Sequence, residues 1–459
     1  MKKTCRALML AAVLAAAASM TALADGWSKD SNNQWVYYEN GGRLTNAWKT
    51  GADGAYYYLG SDGYLQTNSF VDDERYADGD GRMVTSAWRQ IDGRWYYFDA
   101  NGRMVRDRSR QINNLWYYFD GDGAMRTGWV DDGDDWYYCD PNAGGRMVTG
   151  AWRQLIPDDE MIYGDESDGP QSDDGSYWFY FMSTGKAARA SGDGNYKELT
   201  IGDGRYAFDE YGRMQTGWIK LSEKTPAIAG YKYFNDTDSI GTFGAAHTGW
   251  LSAYPPEDED EDLGSDVQWY YFDAKGTPYY GKDVANTDDD ETLNAKFRRL
   301  QKNGKTQTYL FNEYGNPVYG LRKVRRSSGV VTSMYFGTKE ESCLQLGDRN
   351  IKDANGETST FYFDGSGYGY NGIRDGKLYY MGKLQKAFDD SYAFYPDPSA
   401  PQNHAKDILV TRSGTIKKNY NKNKTDYVDY QSDASGRRGQ YATADAEEWI
   451  EPAFVTSDN

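Results

Sequence analysis

The stretch Trp95-Tyr96-Tyr97-Phe98-Asp99-Ala100-Asn101-Gly102-Arg103-Met104 decides the fold. Alternating aromatic residues favour a strand, and the acidic turn closed by a glycine favours a tight reversal. The return segment is too short for a helix, so the unit reads as one β-hairpin. Sliding the sequence against itself finds Trp116-Tyr117-Tyr118-Phe119 and Trp136-Tyr137-Tyr138-Cys139, whose first residues follow at intervals of 21 and 20. Further copies begin at Trp35, Tyr56, Trp178 and Trp269, with weaker versions around Tyr206, Tyr231, Tyr309, Phe361 and Tyr379. A hairpin of this size cannot bury its aromatic face alone, whereas stacked copies bury a continuous core between neighbours. The fold class expected is therefore all-β, an elongated solenoid of short hairpin repeats. Gly102, Gly123, Gly145 and Gly212 are expected to supply the positive φ at the turns.

Aromatic residues make up 16% of the chain, yet mean hydropathy is −0.85, so the apolar material is concentrated in rings on polar segments. Lys2, Lys3 and Arg6, an apolar run from Ala7 to Met20, and Ala22-Leu23-Ala24 follow the order of a secretory signal, with cleavage expected after Ala24. No later segment has the length of apolar sequence that a transmembrane helix needs. Losing the three basic residues of the signal would take the net charge from −18 to −21, a field that repels nucleic acid. The expected organisation is a signal at 1–24, recognisable repeats at 25–250, and diverged repeats with acidic insertions at 251–459. The insertions, Pro157 to Asp174 and Pro255 to Asp266, read as solvated loops. Past Tyr279 come basic clusters at Arg298-Arg299 and Arg322 to Arg326, and a small separate domain is the alternative there.

The spacing Gly/Ala-Trp, Trp-Tyr-Tyr-Phe, Gly-x-Met-x-Thr-Gly-Trp resembles the cell-wall-binding repeats of choline-binding proteins and, more distantly, glucan-binding and clostridial-toxin repeats. The resemblance is closest from Trp27 to Trp152 and reappears in fragments such as Gly212 to Trp218. It implies a left-handed superhelix with ligand held between consecutive repeats, in a box of two Trp from one unit and a Tyr from the next, with Met nearby. Carried over, the first box is Trp88, Trp95 and Tyr118 with Met104 beside it, and a second is Trp129, Trp136 and Tyr180. Less regular boxes are Trp27, Trp35 and Tyr58, or Trp48, Tyr56 and a later ring. Arg108 falls where the unit containing Trp116 should place its first Trp, so no box is expected there. Trp218 and Trp250 have displaced downstream partners. Strand alternation puts Trp95 and Tyr97 on one face and Tyr96 and Phe98 on the other, the second pair being core.

The implied partner is choline-decorated teichoic acid or another wall glycan, bound non-covalently at the cell surface, since sugars stack on Trp and Tyr faces as readily as ammonium groups do. No catalytic residues, metal or cofactor are expected. His247 and His404 stand apart and read as surface or turn residues. The carboxylates of Asp78-Gly79-Asp80-Gly81 and Asp120-Gly121-Asp122-Gly123 read as turn chemistry rather than a calcium loop. Cys139 stands where neighbouring repeats have Phe and reads as a small core residue. Two other classes stay open, a wall enzyme whose catalytic part lies after Tyr279 and a self-assembling surface protein.

Overall fold

The computed structural model describes residues 25–158, 171–192, 195–257, 265–281, 292–294, 296–352, 356–388, 392–424 and 428–454. The signal expected at 1–24 and most of both acidic insertions lie outside them. Within the described residues the regular elements are β-strands and short 3₁₀ turns such as Pro141–Ala143. Most strands pair only with the next strand in sequence, giving two-stranded antiparallel sheets. Ala87–Ile91 pairs with Arg94–Phe98, Arg108–Ile112 with Leu115–Phe119, and Gly128–Asp131 with Trp136–Asp140.

The turn explains why glycine recurs. Gly102 N donates to Asp99 O at 3.0 Å, while Asp99 Oδ1 accepts from the backbone N–H of Asn101 and Arg103 at 2.8 and 2.9 Å. That closure requires positive φ at its last corner, and Gly102, Gly123, Gly145 and Gly212 have φ of +73°, +81°, +76° and +85°. Asp78 and Asp120 cap their turns through the same carboxylate contacts. Far along the chain, Asp433 Oδ1 accepts from Ser435 and Arg437 N–H around Gly436.

After each turn the chain stitches back to the preceding hairpin. Leu65 N donates to Trp35 O, Met83 N to Tyr56 O, Met125 N to Trp95 O and Ala187 N to Trp136 O, at 2.7 to 3.0 Å. The same stitch runs from Leu344 N to Thr308 O, Gly369 N to Ser333 O and Ile416 N to Gly376 O. Residues 292–454 therefore repeat the turn-and-stitch pattern after their aromatic signature has faded. One five-stranded sheet interrupts it, ordered Gly347–Lys352, Thr358–Phe363, Lys383–Leu384, Lys377–Tyr380, Gly372–Arg374.

The chain forms two compact units. The first runs to Arg189 and takes in Tyr211–Arg213, and the second takes Ala190–Glu210 and everything from Met214. In the first, Phe98, Phe119, Phe179 and Phe181 are fully buried, and Tyr96 packs with Phe98 against Tyr76, Val84 and Ala124. Cys139 is fully buried among Val130, Tyr137 and Met147, and burial pushes its thiol up to about 12. In the second, Trp449 stacks on Tyr380 at 4.5 Å and 7°. His247 is a correction: it is 4% exposed, with Nδ1 2.8 Å from Asn235 Oδ1 and Nε2 3.2 Å from Trp250 O. Burial holds its pKa below the ordinary value, so the neutral ring serves as a structural bridge. His404 is exposed.

Candidate functional site: aromatic corners between hairpins

Each corner starts from a cross-strand pair. Trp88 stands opposite Tyr97 in the hairpin register, with ring centroids 5.3 Å apart. Trp95, two residues before Tyr97 on the same face, meets Trp88 edge-on at 6.4 Å and 82°, so the two indoles form a right-angled corner. The next hairpin closes it: Tyr117 lies 4.9 Å from Trp88, and Phe119 stacks on Trp88 at 5.6 Å and 27°. Met125 packs in the same cluster, its backbone N–H bonded to Trp95 O. Trp95 remains 42% exposed, so one wall of the corner faces solvent.

Tyr118 and Met104 are therefore corrected to Tyr117 and Met125. Tyr118 points to the opposite face and meets Tyr137 at 5.8 Å. Met104 packs on the buried side with Tyr76, Tyr96 and Phe98, beneath the turn glycine Gly123. Side chains alternate along a strand, so choosing the neighbouring tyrosine exchanges one face for the other.

The same displacement recurs. Trp129 and Trp136 meet at 6.2 Å and 84°, but the third ring is Phe179, 4.8 Å away and fully buried, while Tyr180 packs on Trp152 within its own hairpin. Trp27 meets Tyr57 of the next hairpin at 5.5 Å rather than Tyr58, which packs on Trp48 at 5.1 Å. Lys29 Nζ lies 5.0 Å over the Trp35 ring. Trp48 and the half-exposed Tyr56 gather no ring from a following hairpin among the described residues. In the unit containing Trp116, Ser109 is the residue opposite Tyr118, the place of the first Trp elsewhere, and Arg108 stands one position earlier opposite Phe119. Trp116 consequently has no tryptophan partner in its hairpin.

The corners displaced in sequence are complete in space. Trp218 meets Tyr231 at 6.3 Å and 86°, Tyr270 at 4.9 Å and Phe272 at 5.6 Å. Trp250 meets Trp269 at 6.3 Å and 81°, Tyr309 at 4.8 Å and Phe311 at 6.1 Å. Burial pushes the Tyr270 and Tyr309 phenols up to about 12, so both rings are neutral walls at physiological pH.

A backbone anchor fixes the first indole. Trp129 Nε1 donates to Ile156 O, Trp218 Nε1 to Tyr254 O and Trp250 Nε1 to Gln301 O, each at 2.8 Å. Every acceptor belongs to the first strand, or the residue just after it, of the following hairpin. A Trp N–H satisfied this way holds the ring while leaving its faces free. The charge beside each corner differs. The residue paired across the strand with the second ring is Gln90 for Trp95, Asp131 for Trp136, Lys29 for Trp35, Lys220 for Tyr231 and Ser252 for Trp269.

A family model described as choline-binding repeat matches residues 84–111 and 109–152, and a cell wall binding repeat model matches 46–65. Residues 84–152 are thus similar to choline-binding repeats, and residues 46–65 to a cell wall binding repeat. The matched segments contain the Trp88 and Trp129 corners and the Trp48 pair. Among curated proteins, glucosyltransferase-S of Streptococcus downei is 36% identical over 78 residues, covering 16% of this chain and 6% of that protein. Among solved structures, the modular autolysin LytC from Streptococcus pneumoniae is 21% identical, covering 64% of this chain and 52% of that one, with a TM-score of 0.36. Choline binding protein F from Streptococcus pneumoniae is 18% identical, covering 77% of this chain and 98% of that one, with a TM-score of 0.35. The chain thus spans about half the length of the autolysin and a small fraction of the glucosyltransferase. Among the described residues no helix is long and apolar enough to cross a membrane.

Proposed function

We propose that this chain is a secreted, non-catalytic surface protein that holds choline-decorated teichoic acid in the aromatic corners between its repeats. The supporting observation is the Trp88 corner, two perpendicular indoles and a tyrosine from the next hairpin, with Trp95 open to solvent. A quaternary ammonium donates no hydrogen bond and is drawn to ring faces, each contributing roughly 0.5 to 2 kcal/mol. Two or three faces give about 4 kcal/mol, near a millimolar dissociation constant. Several such corners on one chain hold a polymer that presents its ligand repeatedly, because each later contact is intramolecular. Asp131 beside Trp136 adds attraction for a cation, whereas Lys29 beside Trp35 opposes one. A neutral wall glycan is the second reading, favoured by the exposed indoles Trp95, Trp116 and Trp269.

The test is retention of the protein on cell walls prepared with and without choline on their teichoic acid. Retention on choline-bearing walls, reversed by free choline, supports the proposal. Equal retention on both preparations, reversed by short α-glucans, supports the glycan reading instead. Release of soluble fragments from either wall would overturn the non-catalytic assignment.

A further inference from the structure

The Trp250 corner has the geometry of the Trp88 corner but is not empty of charge. Lys302 reaches into it from the following hairpin: its Nζ lies 4.0 Å from the Trp269 ring centroid and 4.7 Å from that of Trp250. The residue before it, Gln301, supplies the carbonyl that anchors the Trp250 indole N–H, so the lysine is delivered by the same segment that fixes the box. Among the described residues no carboxylate pairs with this ammonium, which meets the two indoles with the buried Cys343 thiol nearby. Desolvation there lowers its pKa below the ordinary lysine value, as expected for a cation moved out of water against rings. No lysine or arginine among the described residues lies over Trp88, Trp95, Trp129 or Trp136 in this manner.

We propose, building on the cation-binding reading of the corners, that Lys302 is an internal ligand which fills the Trp250–Trp269–Tyr309 box and keeps it closed to choline. A primary ammonium on a four-carbon stem offers the rings the same positive charge as a quaternary ammonium. Because it is tethered, it competes at an effective concentration of about millimolar or more, against a free ligand whose dissociation constant is itself about millimolar. A corner so furnished is a cation cage by construction yet contributes no exchangeable site. Lys302 then determines how many sites the chain offers, and with it how many polymer contacts are made at once.

Two measurements on the full chain test this. In the first, the ε-methylene resonances of isotopically labelled lysines are recorded. One pair is expected strongly upfield from ring currents, lost in Lys302→Ala and shifted back towards the ordinary position in Trp269→Ala. A lysine spectrum without any such displaced pair overturns the proposal, whatever the chain binds. In the second, choline is titrated calorimetrically into the parent, Lys302→Ala and Lys302→Arg chains, with folding checked by near-ultraviolet circular dichroism. Lys302→Ala is expected to gain one site per chain, and Lys302→Arg, which keeps a cation at that position, none. A folded Lys302→Ala chain with the parent's site count overturns the proposal. If the parent binds choline the failure is confined to Lys302, whereas silence from parent and variant alike is a failure of the cation-binding reading itself.

Discussion

The Trp88 and Trp250 corners stand in different units and are built from different loops, yet their rings agree closely. The two indoles meet at 6.4 Å and 82° in one and at 6.3 Å and 81° in the other. The third ring stands at 4.9 and 4.8 Å, and the stacked phenylalanine lies at 27° and 28°. What differs is charge: the second indole of each corner is exposed, Trp95 to 42% and Trp269 to 39%, but only the Trp250 corner is crossed by a lysine, Lys302. Shape is set by hairpin register and stacking, which an insertion in the connecting loop leaves intact. Availability to a cation is set by one side chain that the repeat pattern does not specify.

The most severe way to break the equivalence is to remove the anchoring indole. Trp88→Ala and Trp250→Ala are each expected to lower stability by about 3 kcal/mol, because each ring packs on four others. Urea unfolding followed by tyrosine and tryptophan fluorescence would show it. A cost confined to one corner would mean the two are alike only in outline.

Next in size are the turn glycines of the closing hairpins, Gly123 and Gly315, both at φ +81°. Alanine at either is expected to cost about 1 to 3 kcal/mol from the left-handed backbone. Gly123 adds a clash, because a Cβ there would stand 2.4 Å from Met104 Sδ, against 3.1 Å from Ile228 Cγ1 at Gly315. Thermal melts ranking Gly123→Ala as the milder change would show that the flexible methionine yields freely.

The face assignment is sharpened by paired substitutions. Tyr117→Ala is expected to weaken choline binding at the Trp88 corner by roughly 2- to 30-fold, the worth of one ring face, whereas Tyr118→Ala leaves that corner's affinity unchanged. The reverse result in a titration would restore the other tyrosine to the box.

The smallest effect concerns Cys139, which lies behind the rings. Its folded thiol titrates near 12, against an unfolded value near 8.5. The neutral thiol therefore contributes stability that is complete below about pH 8.5 and falls away as pH rises towards 12. Replacing Cys139 with Ala should remove that component of the alkaline loss of stability, measured by urea midpoints across the range.

Much of this was legible in the sequence. The spacing of Trp95, Trp116 and Trp136 implies stacked hairpins, the Asp–Gly turns place the left-handed residues, and alternation assigns Tyr96 and Phe98 to the core. The pairing of Trp88 with Trp95, and of Trp129 with Trp136, follows from the same pattern. The third ring was misplaced by one residue at Tyr118, Tyr180 and Tyr58 alike, because the pattern fixes which residues alternate but not which face of the following hairpin turns inward. The partners of Trp218 and Trp250 read as displaced because the insertions carry them far along the chain. In space the insertions leave the register Trp218 to Tyr233 and Trp250 to Tyr271 undisturbed. Lys302 carried no signal at all, being one lysine before an Asn-Gly turn, whose reach over two indoles depends on the following hairpin's placement.

The most direct test of the central claim is a calorimetric titration of choline into the full chain beside its Trp95→Ala variant, whose exposed ring contributes more to the corner than to the core. The expected result is binding of about millimolar strength, with the variant losing the site at the Trp88 corner while retaining its fold. Undiminished choline binding in a folded Trp95→Ala chain, or heat from short α-glucans alone, would contradict the account.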